Sequence, residues 1–349
     1  MIIRNPSVRS CDSALFARRN LRRLSSFLGH STLRHAPARG CAHAGGCACS
    51  LPRVTDATPT SPRASAGPPP ETIRVVTVAY NPGEELERFL ETLRAATRWT
   101  PNVVIADNGT EHERVNRAAE RFGARVVGDG TNRGYGAGAN LAARDLTEDW
   151  LVVANPDIQW RPGSLDALIE AGHAEPRAGC LGPRLLNPDG SVYPSGRALP
   201  SLVGGAGHAI LGKVWPGNPF SSAYHGTNED ATHAVGWLSG ACLLLPAAAW
   251  KRLGGFDEDY FMFFEDVDLG ARVGRAGWLN LQVPDAVVVH AQGASWKSRP
   301  ERMIRAHHAS ARRYINASHP AVWQAPVRWA VSAGLKAREE IAVRAARRG

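Results

Sequence analysis

The 349 residues exceed one minimal domain and suit a large α/β domain with appendages. Their net charge of +9 is unevenly placed: residues 1–70 hold 10 Arg and 2 Asp (+8), residues 297–349 hold 12 basic and 3 acidic side chains (+9), and residues 71–296 hold 19 basic and 27 acidic ones (−8). The total is therefore not the property of one basic fold; no nucleic-acid-binding motif accompanies the charge, and no run reaches the ~18 apolar residues of a bilayer-spanning helix.

Residues 1–70 lack sustained periodicity and end in proline-rich stretches, so they read as a disordered basic leader. Within it, Leu15 to Leu28 could lie on a membrane surface, and no apolar core of secretory type follows its arginines. Cys41, His43, Cys47 and Cys49 match no paired zinc spacing. Cys180 and Cys242, in apolar segments, read as buried reduced thiols.

The body (71–296) opens with Ile73 to Tyr80, a β-branched run suited to a buried parallel strand and broken by Asn81-Pro82-Gly83. Leu86, Phe89, Leu90 and Leu93 then recur at helical spacing. Asn102 to Ala106 is a second strand ending on Asp107-Asn108-Gly109; Glu111 to Phe122 is helical, and Ala124 to Val127 is a third strand. Gly134 to Arg144 is a small-residue helix, and Leu151 to Ala154 is a fourth strand ending on Asn155-Pro156-Asp157. This alternation predicts a doubly wound, mostly parallel α/β sheet, whose ligands bind beyond the carboxyl ends of the strands. Tyr80-Asn81, Asp107-Asn108 and Asn155-Asp157 fall there. Gly134-Tyr135-Gly136-Ala137-Gly138-Ala139 fits the dinucleotide fingerprint but follows the third strand rather than the first, so it reads as a glycine-rich helix start packed on the sheet near a phosphate or sugar.

Past Asp157 the alternation loosens. Gly179 to Leu186 and Ser191 to Arg197 predict strands, and Leu199 to Thr232 a long functional loop. Val235 to Leu245 predicts one buried strand, and Leu279 to Val283 and Ala286 to His290 two short ones. Between them, Phe263-Phe264-Glu265-Asp266-Val267-Asp268 sets carboxylates at a helix start behind two aromatics. Such acids complement the helix dipole, and a partly desolvated one has the raised pKa of a general base. The basic end, 297–349, is read as helical, with Trp323 and Trp329 among its arginines.

Seven motifs occur in one order: VVTVAYN at 75–81, DNG at 107–109, NRGYGAGAN at 132–140, VVANPD at 152–157, WLSGACLLL at 237–245, GGFDEDYFMFFEDVDLGAR at 254–272 and VVVHAQGAS at 287–295. With them the chain resembles the inverting family-2 glycosyltransferases of GT-A fold over about residues 73–296. It is most similar to the bacterial branch that moves L-rhamnose from dTDP-rhamnose to N-acetylglucosaminyl-diphospho-polyprenol in cell-wall linkage-unit synthesis.

The resemblance implies roles residue by residue. Asp266 matches the family's catalytic base, with Glu265 beside it and Asp268, Arg272 and Trp237 in support of the acceptor; Arg272 is expected to pair with the Glu265/Asp268 face. Asp157 matches the last acid of the metal-binding D-x-D motif, and His290 can complete the site. Asn155 replaces the first acid, which lowers the charge offered to Mg2+ or Mn2+. Asp107 matches the acid that accepts the N3–H of thymine or uracil and so does not separate dTDP from UDP. Tyr80, Asn81, Asn108, Asn132, Gly134 and Asn140 complete the nucleotide side. On the residues alone, Asp107 and Asp157 also suit turns, and His290 a packed core position. The implied partners are a dTDP-sugar, a polyprenyl-diphosphate-linked sugar and an anionic membrane touched by the basic end, with no nucleic acid, and the implied place is the cytoplasmic face of the plasma membrane. The alternatives are a UDP-sugar transferase building exopolysaccharide and a non-catalytic nucleotide-sugar-binding or membrane-docking protein.

Overall fold

The computed structural model describes residues 71–200, 230–291 and 300–347, all within one compact unit. The readings for the leader and its cysteines and for the loop between 201 and 229, and the end of the VVVHAQGAS motif, lie outside the described residues.

The opening β-branched run folds as β1 (Ile73–Ala79), buried throughout. It lies between two parallel neighbours, β2 (Asn102–Asp107) and β4 (Trp150–Ala154), with β3 (Arg125–Val127) parallel outside β2. Beyond β4 the sheet becomes mixed. β11 (Cys242–Pro246) runs antiparallel to both β4 and β6 (Ala178–Leu186). β12 (Leu279–His290) runs parallel to β6 and carries the short β5 (Ile158–Trp160) antiparallel at the edge. The order is β3-β2-β1-β4-β11-β6-β12-β5, with β7 (Val192–Tyr193) on β6 and β9 (His233–Val235) on β12. The chain therefore winds outward from β1 to β3 and returns across β1 to β4, which is the doubly wound α/β arrangement the sequence predicts.

Strand alternation feeds two cores, one per face. On one face Val75, Ile105 and Val152 pack with Leu86 and Phe89 of α1 (Glu85–Ala96), Val115 of α2 (His112–Phe122) and Leu168 of α4 (Ser164–Ala174). On the other, Val76, Val104 and Val153 pack with Ala139 of α3 (Tyr135–Ala142), Trp250 of α5 (Ala247–Leu253) and Leu269 of α6 (Glu265–Arg275). Cys180 and Cys242 are buried free thiols, as expected.

Three element readings are corrected. Val235–Leu245 is not one strand: β9 ends at Val235, β10 (Trp237–Leu238) leaves the main sheet to pair with β8 (Gly196–Arg197), and β11 begins at Cys242. The break has a chemical reason, since the Gly240 N–H points to the Asp266 carboxylate (2.9 Å) instead of a ladder partner. Leu279–His290 is one strand whose register shifts between Val283 and Val287, where Pro284 supplies no amide hydrogen. The stretch after Asp157 is regular, forming β5 and α4.

The carboxyl end forms α7 (Pro300–Ser318) and α8 (Ala325–Ala346). Glu301 meets Arg347 (2.6 Å) and Arg312 meets Glu339 (2.7 Å), so the two helices run antiparallel. α7 packs on the body: Ser310 Oγ donates to the Met262 carbonyl (2.8 Å), Arg313 pairs with Asp257 (3.0 Å), and Tyr314 is buried with Tyr260 and Val267.

Candidate active site

The site forms where β1, β2, β4 and β12 end and where α3 and α6 begin. Asp107, at the end of β2, is buried; its Oδ1 accepts the Gly109 N–H (3.0 Å), and its Oδ2 lies 2.5 Å from His112 Nδ1. Asn81 sits in the left-handed region (φ 47°) and accepts the Thr110 N–H (2.6 Å), shaping the β2–α2 loop. Asn108 is buried and donates to the Gly134 carbonyl (2.8 Å), while Asn132 Oδ1 accepts the Gly134 N–H (3.1 Å). Gly134 has φ 89°, and a Cβ there would collide with the Phe261 carbonyl oxygen, so only glycine lets α3 start against the α6 loop. Tyr80 ends this side, half-buried. The structure brings these residues to one end of the sheet. Asn140 is not among them: both ends of its carboxamide hold the turn at Phe256, accepting its N–H (2.9 Å) and donating to its carbonyl (2.9 Å).

Asp157 and His290 meet across the β5–β12 pair, in which His290 lies opposite Ile158. His290 Nε2 is 3.1 Å from Asp157 Oδ1 and 3.3 Å from the Asn155 carboxamide, and all three residues are half-buried. His290 Nδ1 is buried without a hydrogen-bond partner.

The Glu265–Asp266 side is built by a strained turn. Phe263 and Phe264 both have φ 67°, a conformation costing about 1–3 kcal/mol each for bulky side chains. The turn is held by α7, where His307 rests on both rings (5.5 Å each) and Tyr314 on Phe264 (5.7 Å). It delivers Glu265 and Asp266 to the start of α6 in different surroundings. Asp266 is half-buried and accepts the Gly240 N–H, and the Gly240 carbonyl accepts the Tyr135 hydroxyl (2.8 Å). Burial pushes the Asp266 carboxyl above the usual aspartate range, opposed by the N–H groups of Gly240 and Val267. Glu265 is 6% exposed with Oε2 unpartnered; burial, and then the charge of Asp266, push it well up. Asp266 therefore has the access and elevated basicity of a general base, and Glu265 is a buried acid behind it.

Trp237 donates from Nε1 to the Ala198 carbonyl (3.0 Å) and lies on Gly270, where an added Cβ would sit 2.6 Å from the Trp237 Cβ. Arg272 pairs with Asp268 (2.6 Å) and donates to the Leu253 carbonyl (2.9 Å). Its expected partnership is thus with Asp268 and not Glu265, and the pair ties α6 to the end of α5. Sequence reasoning missed the clamp by α7, although His307, Ser310, Ala311 and Tyr314 recur at helical spacing.

The model of glycosyl transferase family 2 matches residues 74–233. The chain is 44% identical over 291 residues to N-acetylglucosaminyl-diphospho-decaprenol L-rhamnosyltransferase of Mycobacterium tuberculosis, covering 80% of this chain and 95% of that protein. The chain belongs to glycosyltransferase family 2. A rhamnosyltransferase of Escherichia coli is 24% identical over 253 residues, 70% of this chain and 92% of that one. Among solved structures, a mannosyltransferase of Pyrobaculum calidifontis in complex with GDP-Man and Mn2+ superposes with a TM-score of 0.49 at 16% identity, covering 78% of this chain and 72% of that one.

In this glycosyltransferase no three His, Cys, Asp or Glu side chains converge among the described residues. The Asn155, Asp157 and His290 donors nevertheless suit a divalent cation. One carboxylate, one imidazole and one amide oxygen leave room for diphosphate oxygens, and an imidazole ligand fits Mn2+ better than Mg2+.

Proposed function

We propose that this glycosyltransferase moves L-rhamnose from dTDP-rhamnose to N-acetylglucosaminyl-diphospho-polyprenol by a single in-line displacement with inversion. The observation that carries this reading is the 44% identity spanning 95% of the mycobacterial rhamnosyltransferase. Asp266 takes the proton of the acceptor hydroxyl as that oxygen attacks the sugar. Asp107, Asn108, Asn132 and Gly134 hold the nucleotide, with Tyr80 and Asn81 at the end of β1. Asp157, His290 and Asn155 would hold Mg2+ or Mn2+, which would supply positive charge to neutralise a diphosphate.

A lipid-linked acceptor supports work at a membrane surface, which we read as the inner face of the plasma membrane. No helix of the described residues is long and apolar enough to cross a membrane. Contact is assigned to the start of α8 and the turn before it. There Val322, Trp323 and Trp329 are 87%, 77% and 75% exposed. Much of the expected basic charge is engaged elsewhere: Arg305, Arg312, Arg313 and Arg347 all lie in ion pairs. Insertion of the indoles therefore matters more than the +9 suggests.

Turnover tests the reading. With dTDP-rhamnose and a short-chain GlcNAc-diphospho-prenol, the product should form with inverted anomeric configuration and stop on addition of a chelator. UDP-sugars used in preference, or undiminished rate with the chelator, count against the donor and the metal respectively.

A further inference from the structure

No motif singles out Arg197, but the fold places it with care. In the β8–β10 pair it lies directly opposite Trp237, so both side chains stand on one face. Its guanidinium rests on the Trp237 ring (5.4 Å) and on the Tyr193 ring (5.3 Å). Nε donates to the Pro194 carbonyl (2.9 Å), and one terminal nitrogen donates to the Tyr193 hydroxyl (3.1 Å). These neighbours are aromatic rings and neutral oxygens. Among the described residues no carboxylate pairs with it, and its other terminal nitrogen has no partner. A half-buried cation whose geometry is fixed while no carboxylate of the described residues touches it is prepared for an anion from outside.

The position says which anion. Trp237 lies on Gly270, one turn along α6 from Asp266. The charge of Arg197 reaches the Asp266 carboxylate and favours its ionised form. Arg197 is therefore on the side of the base. In an inverting displacement the base attends the attacking hydroxyl, opposite the departing nucleotide diphosphate. An anion met on the base side belongs to the acceptor.

We propose that Arg197, held by Tyr193 and Trp237, binds the diphosphate of the lipid-linked acceptor and so selects acceptors that carry one. The inference rests on the acceptor class proposed above. The donor diphosphate is the other source of the same chemistry, and the test separates the two.

Arg197→Gln and Arg197→Lys are compared with the full-length chain in three measurements. In the first, calorimetry with farnesyl diphosphate, which needs no turnover, the native chain should bind and Arg197→Gln should bind roughly 10- to 100-fold more weakly, with Arg197→Lys between them. In the second, dTDP should bind all three within about twofold. In the third, KM for a GlcNAc-diphospho-prenol should rise by a similar roughly 10- to 100-fold in Arg197→Gln. KM for a neutral alkyl N-acetylglucosaminide should change little, and whatever kcat loses with the charge near Asp266 should be shared by both acceptors. Equal binding of farnesyl diphosphate by the native chain and Arg197→Gln, or no binding by either, overturns the proposal. Loss of dTDP binding assigns Arg197 to the donor and overturns it too, and an equal rise in KM with both acceptors shows that Arg197 only supports the β8–β10 ribbon and overturns it as well. Failure of the native chain to use the GlcNAc acceptor while farnesyl diphosphate binding depends on Arg197 would sink the reading of the acceptor sugar and leave the diphosphate site standing.

Discussion

Glu265 and Asp266 are adjacent, yet one looks into the protein and the other toward substrate. Asp266→Asn keeps the shape and the Gly240 contact but removes the basicity. It should lower kcat by roughly 10²–10⁴ while leaving dTDP binding nearly unchanged. In the native enzyme kcat/KM should fall as pH drops through the Asp266 pKa, at a pH above the ordinary aspartate range because burial raises that group. An acid limb at an unperturbed aspartate pKa would move the base elsewhere. Glu265 makes a prediction of opposite character. Its folded pKa is raised above the unfolded one, so its contribution to stability is complete below the unfolded pKa and is lost as pH rises through the folded one. Glu265→Gln should therefore raise the melting temperature at pH 8 by roughly 2–4 °C and do little at pH 4. Equal effects at both pH values would mean that Glu265 is not held neutral. The acid pair was legible in the sequence because three carboxylates followed two aromatics. Which of them is buried was not legible, since that depends on Tyr135 and Gly240, contributed by distant segments.

At the scale of elements, the β-branched runs and their polar ends were readable because a central strand needs both faces apolar and a ligand site needs its polar groups at the strand tips. What failed was local regularity overruled by a distant partner. Asp266 takes the Gly240 amide out of the ladder, and Pro284 leaves β12 continuous but shifted. The α7–α8 pair was expected to be basic and helical, but its attachment was invisible. Glu339, 2% exposed, joins the two helices. Burial alone would raise its pKa, but hydrogen bonds from Arg312 and Lys336 override this and hold it at about 2. Its stabilisation is present above the unfolded carboxylate pKa and fades as pH falls toward 2. Glu339→Gln should cost about 3 kcal/mol at pH 7, as for one partner lost from a buried pair, and much less near pH 2.5. Urea titrations at the two pH values check this, and a cost that does not change with pH would refute the ionic account.

For the whole molecule, the exposed indoles set the expectation for membrane contact. Trp323→Ala combined with Trp329→Ala should weaken binding to anionic vesicles by roughly tenfold or more. Salt should weaken native binding only in part, since most arginines of α7 face carboxylates of the protein itself. Binding abolished by moderate salt and indifferent to the two tryptophans would assign the contact to charge alone.

The grip of α7 on Phe263 and Phe264 also bears on how such an enzyme can be divided or recombined. The family match closes at residue 233, before Asp266 and His290 have been reached, and the helix that keeps the Phe263–Phe264 turn in its costly conformation starts later still, at Pro300. A chimera that grafted a foreign tail after β12 would inherit every residue proposed for the site and still lose the wall that aims Asp266. For this chain the smallest transferable part is the sheet together with its last two helices, and a swap of tails should disturb turnover along with membrane binding.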